Sequence, residues 1–162
     1  FYPGENIIEE VVKIFNTTNC DALYGDLVFV DSVQTNKIYR KWIAGSYSDQ
    51  LFLKGWMPPH PTFFVRKEIY NQYGKFNTTL KSSADYELMV RLLYLHKIKV
   101  GYLHGTLVHM RIGGQSTKSL SNRLKANYED YQAWRLNSLK PKWYTLLLKP
   151  IRKIKQFYFP KF

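Results

Sequence analysis

The chain has 162 residues, 45% of them hydrophobic, enough for one globular domain with its own core. No run of about 18 uninterrupted apolar residues and no basic-then-apolar leader occurs, and the lone Cys20 cannot form an intramolecular disulfide, so a membrane span and a disulfide scaffold are excluded and a reducing, cytosolic setting is expected. The net charge of +12 is concentrated at one end: residues 140 to 162 hold seven cations and no acid, while the remaining 17 basic residues face 12 acids and leave +5, a balance suited to phosphates or an acidic membrane face.

Phe1 opens directly into a Pro3-Gly4 turn and a helix, which suggests that a natural protein continues upstream. In residues 5 to 15, Ile7, Ile8, Val11, Val12 and Phe15 recur on one helical face, with acids in the first turn. Ala22 to Asp31 has the β-branched and aromatic content of a strand buried on both faces, and a second strand is expected over Lys37 to Trp42. A short helix over Asp49 to Leu53 precedes Gly55, Pro58, Pro59 and Pro61, which forbid regular structure and fix an extended loop around His60. A short strand at 62 to 65, a helix from Lys67 to Tyr73 closed by Gly74, and a loop over Phe76 to Lys81 follow.

The spacing next predicts a helix from Ser82 or Ser83 to about His96. Ser82 and Asp85 form a capping box there, and Ala84, Leu88, Leu92 and Leu95 form the buried stripe. Two short strands, Lys99 to Leu103 and Thr106 to Met110, lead through Gly113-Gly114 to a long helix with Leu120, Leu124, Tyr128, Tyr131 and Trp134 on one side. Alternating strands and helices argue for an α/β fold, a mixed sheet flanked by helices. One boundary is drawn near Leu139, giving a body of residues 1 to 139 and a basic-aromatic tail of residues 140 to 162. Pro141, Pro150 and Pro160 speak against one continuous tail helix.

Three segments stand out by their order and separation: Gly55-Trp56-Met57-Pro58-Pro59-His60-Pro61-Thr62-Phe63-Phe64-Val65-Arg66, then Ser83-Ala84-Asp85-Tyr86-Glu87-Leu88, then Met110-Arg111-Ile112-Gly113-Gly114-Gln115-Ser116. With Leu23-Tyr24-Gly25-Asp26 and the opening helix, they resemble the rear half of family 2 glycosyltransferases of GT-A fold, the kind that build bacterial surface polysaccharides. The resemblance covers roughly residues 1 to 120. It implies a partial GT-A fold lacking the N-terminal nucleotide-binding half, because the family's metal-binding Asp-x-Asp stretch lies just upstream of a helix like residues 5 to 15. A divalent metal, Mg or Mn, is then expected for the full-length enzyme with its ligands mostly outside these residues, and this stretch alone is expected not to turn over.

Asp85 is the first candidate for chemistry. An alcohol is a poor nucleophile until its proton leaves, and a carboxylate at a helix N-terminus stays ionised and fixed in direction, whereas the plainer reading is a capping residue alone. The resemblance implies the base role, since the acid of the matching Ala-Asp-Tyr-Glu segment is the family's usual base. His60 in its rigid loop, Trp56 as a sugar-stacking face, and Glu87 as a neighbour facing elsewhere are weighed as acceptor-binding residues against plain packing, a structural histidine and a solvated acid. Arg111, Gly113, Gly114 and Ser116 match a family loop that closes over the donor diphosphate; the alternative is a tight turn before a helix. His104 and His109 have no diagnostic ligand spacing, so no metal ligand is assigned, and Asp26 is read as structural or as a supporting residue.

The tail interleaves Trp143, Tyr144, Leu146 to Leu148, Ile151, Ile154, Phe157, Tyr158 and Phe159 with its cations, the composition of a membrane-interface segment or of a helix packed on the body with a solvated basic face. The expected function is inverting transfer of a sugar from a nucleotide-diphospho-sugar to a saccharide acceptor, carried on a polyprenyl lipid, at the inner face of the cell membrane, in polysaccharide biosynthesis. No nucleic acid partner is expected. The alternatives are a non-catalytic basic module for anionic lipid or nucleic acid, and a degenerate transferase that scaffolds a partner.

Overall fold

A computed structural model describes residues 1–113 and 120–158, so Gly114, Ser116 and the last tail residues, Phe159 among them, lie outside the described residues. The same holds for the side chains of residues 120–123 and of Lys155, Phe157 and Tyr158. Helix α1 (Ile7–Thr17) leads to the central strand β1 (Ala22–Val30), whose residues are buried on both faces apart from a partly exposed Phe29. One edge of β1 is shared by two antiparallel neighbours: β2 (Ile38–Trp42) covers its end and β3 (Phe64–Val65) its start. The other edge runs parallel to β4 (Val100–Arg111), from Ala22 opposite Val100 to Val30 opposite Arg111. The sheet is therefore mixed and open, with helices packed against it, an α/β arrangement.

Strand β4 replaces the two short strands expected from sequence. Its pairing with β1 slips on either side of Asp26, where Gly105 takes a φ of +123°. A bulge of this kind bends a strand without ending it, and its glycine reads in sequence as a break. Gly25 lies opposite the bulge; a Cβ added there would stand 2.4 Å from the Leu107 Cγ, so the close approach of the two strands requires glycine.

Short helices α2 (Gln50–Leu53), α3 (Lys67–Tyr73) and α4 (Ala84–Met89) follow the order read from sequence, and Gly74 closes α3 at φ +88°. Helix α4 continues as one wider π-turn segment, Val90–Leu95, in place of a regular helix to His96. Within it the Leu93 carbonyl accepts a hydrogen bond from the Tyr47 hydroxyl at 3.0 Å. The expected buried stripe holds at Leu88 and Leu92, but Leu95 is 39% exposed.

Helix α5 (Leu120–Leu136) turns the opposite way from its periodicity: Leu124 is 70% and Tyr128 64% exposed, Tyr131 also faces solvent, and only Trp134 of the expected stripe is described as buried. The packed face instead presents Asp130, Ala133, Trp134 and Asn137, small or hydrogen-bonding groups that a hydrophobic stripe search passes over. Trp134 is fully buried against Tyr94, and its Nε1–H donates to the Tyr86 hydroxyl at 3.0 Å.

The tail forms one helix, α6 (Thr145–Tyr158), with Pro150 inside it, against the expectation from its prolines. Proline removes a helical hydrogen bond at a cost of about 3 kcal/mol, so tertiary anchors must hold the helix together. Three do: the Thr145 hydroxyl donates to Leu53 O at 2.8 Å, Lys149 Nζ donates to Asp130 Oδ2 at 2.6 Å, and Arg152 Nε donates to Lys54 O at 2.8 Å. Gly55, at φ +71°, lets the α6 backbone approach so closely that an added Cβ would lie 2.4 Å from the Lys149 nitrogen. No helix among the described residues is long and apolar enough to cross a membrane.

Candidate active site

The proline-rich loop is pinned to the sheet by a residue that the sequence reading passed over. Thr62 is fully buried; its hydroxyl lies 2.8 Å from Pro59 O and 2.9 Å from Gly25 O, and it accepts the Gly25 N–H at 3.3 Å. Pro59 and Pro61 restrict the backbone on either side of a single tight turn, His60–Thr62. His60 thus leaves the loop in a direction fixed by β1.

The start of α4 is held from the other side. Ser83, 2% exposed, is its N-cap by position, yet its hydroxyl makes no cap bond; it donates to Asp130 Oδ1 at 2.8 Å on α5. The backbone N–H groups of Ser82 and Ser83 donate to Glu129 Oε2 at 2.6 and 3.1 Å, so the acid that satisfies this helix end comes from α5. The Ser82–Asp85 capping box is therefore not formed, and Asp85 is released for another partner.

That partner is His60. Its Nδ1 lies 3.0 Å from Asp85 Oδ2, while Oδ1 accepts the Tyr86 N–H at 2.8 Å. The pair is open to solvent, His60 being 50% and Asp85 27% exposed at the side chain. Burial is the largest single influence on the Asp85 carboxyl and pushes its pKa up. The His60 hydrogen bond and charge, the Tyr86 N–H and the Lys149 ammonium together outweigh it, so the carboxyl titrates below its ordinary value and is ionised at neutral pH. Lys149 also stands over the Tyr86 ring at 3.6 Å, which links α6 to the residue beside the pair.

The other sequence candidates separate from this pair. Trp56 is 5% exposed, donates from Nε1 to Ala44 O at 2.9 Å, and is packed among Tyr24, Tyr47 and Phe52. Packed among these neighbours, it belongs to the core, and although it borders the cavity under α6 it leaves too little exposed face to stack on a sugar. Glu87 is 3% exposed and grips Arg91 through both oxygens, at 2.9 and 3.0 Å, while accepting from Asn137 Nδ2 at 3.0 Å. Saturated and buried in this way, it has no oxygen to offer an acceptor.

Arg111 is exposed at the end of β4 with its guanidinium 5.7 Å from the Phe1 ring centroid, and no contact ties it to His60 or Asp85. Gly113 takes φ +106° with open space where a side chain would be, as a residue in a turn does. Asp26 is buried and accepts from Ala44 N–H and the Tyr102 hydroxyl, both at 2.8 Å, a structural role. Among the described residues no three His, Cys, Asp or Glu side chains cluster to hold a metal ion, and the His60–Asp85 contact is a hydrogen bond rather than two ligands converging on a cation. The described residues therefore do not by themselves fit a divalent metal. No protein-family model matches this chain, and comparison with curated proteins finds no match.

Proposed function

We propose that this chain is the acceptor side of an inverting glycosyltransferase of partial GT-A fold, with Asp85 as the base. The observation that carries the reading is the His60–Asp85 pair, in which two segments far apart in sequence deliver an ionised, solvent-open carboxylate and an imidazole oriented by it. In the proposed step an acceptor hydroxyl gives its proton to Asp85 while its oxygen bonds to the anomeric carbon. The bond from that carbon to the donor phosphate breaks, and its electron pair leaves with the nucleoside diphosphate. His60 holds Asp85 in place through Nδ1 and presents Nε2 to the acceptor's neighbouring hydroxyls. Trp56 and Glu87 are left out of the acceptor site, and Arg111 is retained as a contact for the donor diphosphate.

Two features support a fold completed by another segment that carries the nucleotide pocket. Ile8 and Val12 stay 43% and 49% exposed on α1, and among the described residues β4 pairs in the sheet with β1 alone. The outer edge of β4 is met at His109, which exchanges two backbone hydrogen bonds with Phe1; a strand edge otherwise unpaired among the described residues, together with an exposed apolar helix stripe, is what half of a helix-covered sheet leaves behind. A membrane-facing role for α6 is supported by Leu147, Ile151 and Ile154, all about half exposed at helical spacing, with Trp143 84% exposed just ahead of them. A lipid-linked acceptor would bring its saccharide to such a surface.

The test is transfer from a panel of nucleotide sugars to saccharide acceptors, with the nucleotide-binding half in place and the product's anomeric configuration read by proton NMR. A single displacement inverts that configuration, so inversion is expected. Retention, or binding of anionic lipid and nucleic acid with no transfer from any donor, would favour a double-displacement enzyme or the non-catalytic basic module instead.

A further inference from the structure

A cavity of about 320 Å³ opens between the end of β2, the loop after α2 and the inner face of α6. Its walls carry four cations, Lys41 from β2 and Lys149, Arg152 and Lys153 from α6, and no carboxylate is among its lining residues; Trp42 and Met57 contribute apolar wall. The volume is that of a small-ligand cleft.

The four charges are unequally answered. Lys149 is neutralised by Asp130 at 2.6 Å. Arg152 uses Nε on the Lys54 carbonyl, and burial lowers its pKa. Lys153 has no hydrogen bond or ion pair among the described residues. Its side chain keeps solvent exposure, yet it stands among enough protein that desolvation first, and the repulsion of Lys149 second, hold its ammonium below the ordinary lysine pKa despite the opposing pull of Asp130 and Asp85. Cations gathered in a concavity at a cost to their own charged forms are what a bound anion would relieve.

We infer that this cavity binds a phosphate or diphosphate group, held by Lys153 and Arg152 on its α6 wall. The apolar outer stripe of α6, at Leu147, Ile151 and Ile154, lies on the same helix, so a phosphate at the headgroup level of a membrane and a free diphosphate would both reach the site. The inference stands apart from the transfer reaction. Where that reaction holds, the site receives the phosphate end of the acceptor, since the Lys149 ammonium lowers the Asp85 pKa and the Asp85 charge in turn raises that of Lys153.

The experiment titrates the 162-residue chain with inorganic pyrophosphate by calorimetry, and with vesicles of phosphatidylglycerol against phosphatidylcholine by co-sedimentation. Lys153→Gln is compared with Lys153→Arg and with Lys13→Gln on α1, each checked for an unchanged far-UV spectrum. Saturable pyrophosphate binding, weakened about tenfold by Lys153→Gln and retained by Lys153→Arg and Lys13→Gln, is the expected result for a free diphosphate. The same pattern with phosphatidylglycerol vesicles alone would assign the phosphate to a lipid headgroup and would equally support the site. Equal weakening by Lys13→Gln, binding indifferent to Lys153→Gln, or no binding of either probe would overturn it. None of these readings depends on sugar transfer, so failure of the site and failure of the proposed reaction are told apart.

Discussion

Asp85→Asn is expected to lower kcat for sugar transfer by about 10²–10⁴-fold, the range of a positioned general base. The substitution keeps shape but leaves a single oxygen: turned to the Tyr86 N–H, it places the amide NH2 opposite His60 Nδ1, which can accept in its other tautomer, so the loop and the start of α4 should stay where they are. What it removes is the charge that makes the group able to take a proton. KM for the acceptor should change little, because the hydroxyl's ground-state hydrogen bond to an amide oxygen survives. His60→Gln should cost less than Asp85→Asn, since it removes an orienting partner and leaves the carboxylate. A kcat for Asp85→Asn within a few-fold of the wild type, in protein of unchanged thermal midpoint, would take Asp85 out of the base role.

The largest stability effect is expected two residues further along α4. Glu87→Gln leaves the volume of the site intact and strips the countercharge from Arg91, whose side chain is 13% exposed. Arg91 is more than half of an ion pair. It also donates to the carbonyls of Tyr73, Gly74 and Lys75, so it holds the end of α3 and the following loop against α4. Breaking a buried pair from one side costs about 3–5 kcal/mol. Against the 5–15 kcal/mol typical of a whole domain this is a large fraction, and the urea midpoint should fall by a correspondingly large amount with an unchanged slope. Transfer activity per folded molecule should not change, because Glu87 faces Arg91 and Asn137 and not the His60–Asp85 pair. A loss below about 1 kcal/mol, the level of a surface pair, would show that the burial has been overread.

Local structure was legible in this sequence wherever one residue type settles the backbone. Gly74 at φ +88° ends α3 where its glycine says it should, and the prolines do place a loop around His60, although it closes into one tight 3-10 turn, His60–Thr62, with the strand starting only at Phe64. The central strand was legible because burial on both faces demands a largely apolar run, here broken only by Gly25 and Asp26. Errors arose where tertiary contacts override local pattern. Gly105 reads as a chain break and is a bulge, because β1 supplies the pairing that carries β4 through it. Pro150 reads as a helix breaker and sits inside α6, because Thr145, Lys149 and Arg152 are tied to the body on either side of it.

The candidate site divides in the same way. His60 and Asp85 were each identifiable from their segments, but the hydrogen bond between them is a product of folding and has no signature in spacing. The residues that aim them, Thr62, Ser83, Glu129 and Asp130, were missed because each is an ordinary polar residue until burial forces it to find a partner. Periodicity placed α5 with Leu124 and Tyr128 inward, and those hydrogen bonds turn it the other way. Trp56 shows the converse error. An aromatic beside prolines in a loop suggests a ligand platform, yet its neighbours Tyr24, Tyr47 and Phe52 arrive from three other segments and enclose it.

The dependence of kcat/KM on pH tests the assignment of Asp85 most directly, since it reports the ionisation of the free enzyme's base. The base works ionised, and its pKa in the folded chain is depressed by His60, the Tyr86 N–H and Lys149 against the opposing effect of burial. Activity should therefore stay level as the pH falls from neutrality through the imidazole range, and decline only below the ordinary aspartate value of about 3.9 or where the fold itself gives way. A decline that sets in near neutrality, far above any depressed carboxylate, would contradict the account and make a group other than Asp85 the proton acceptor, His60 being the one in contact with it.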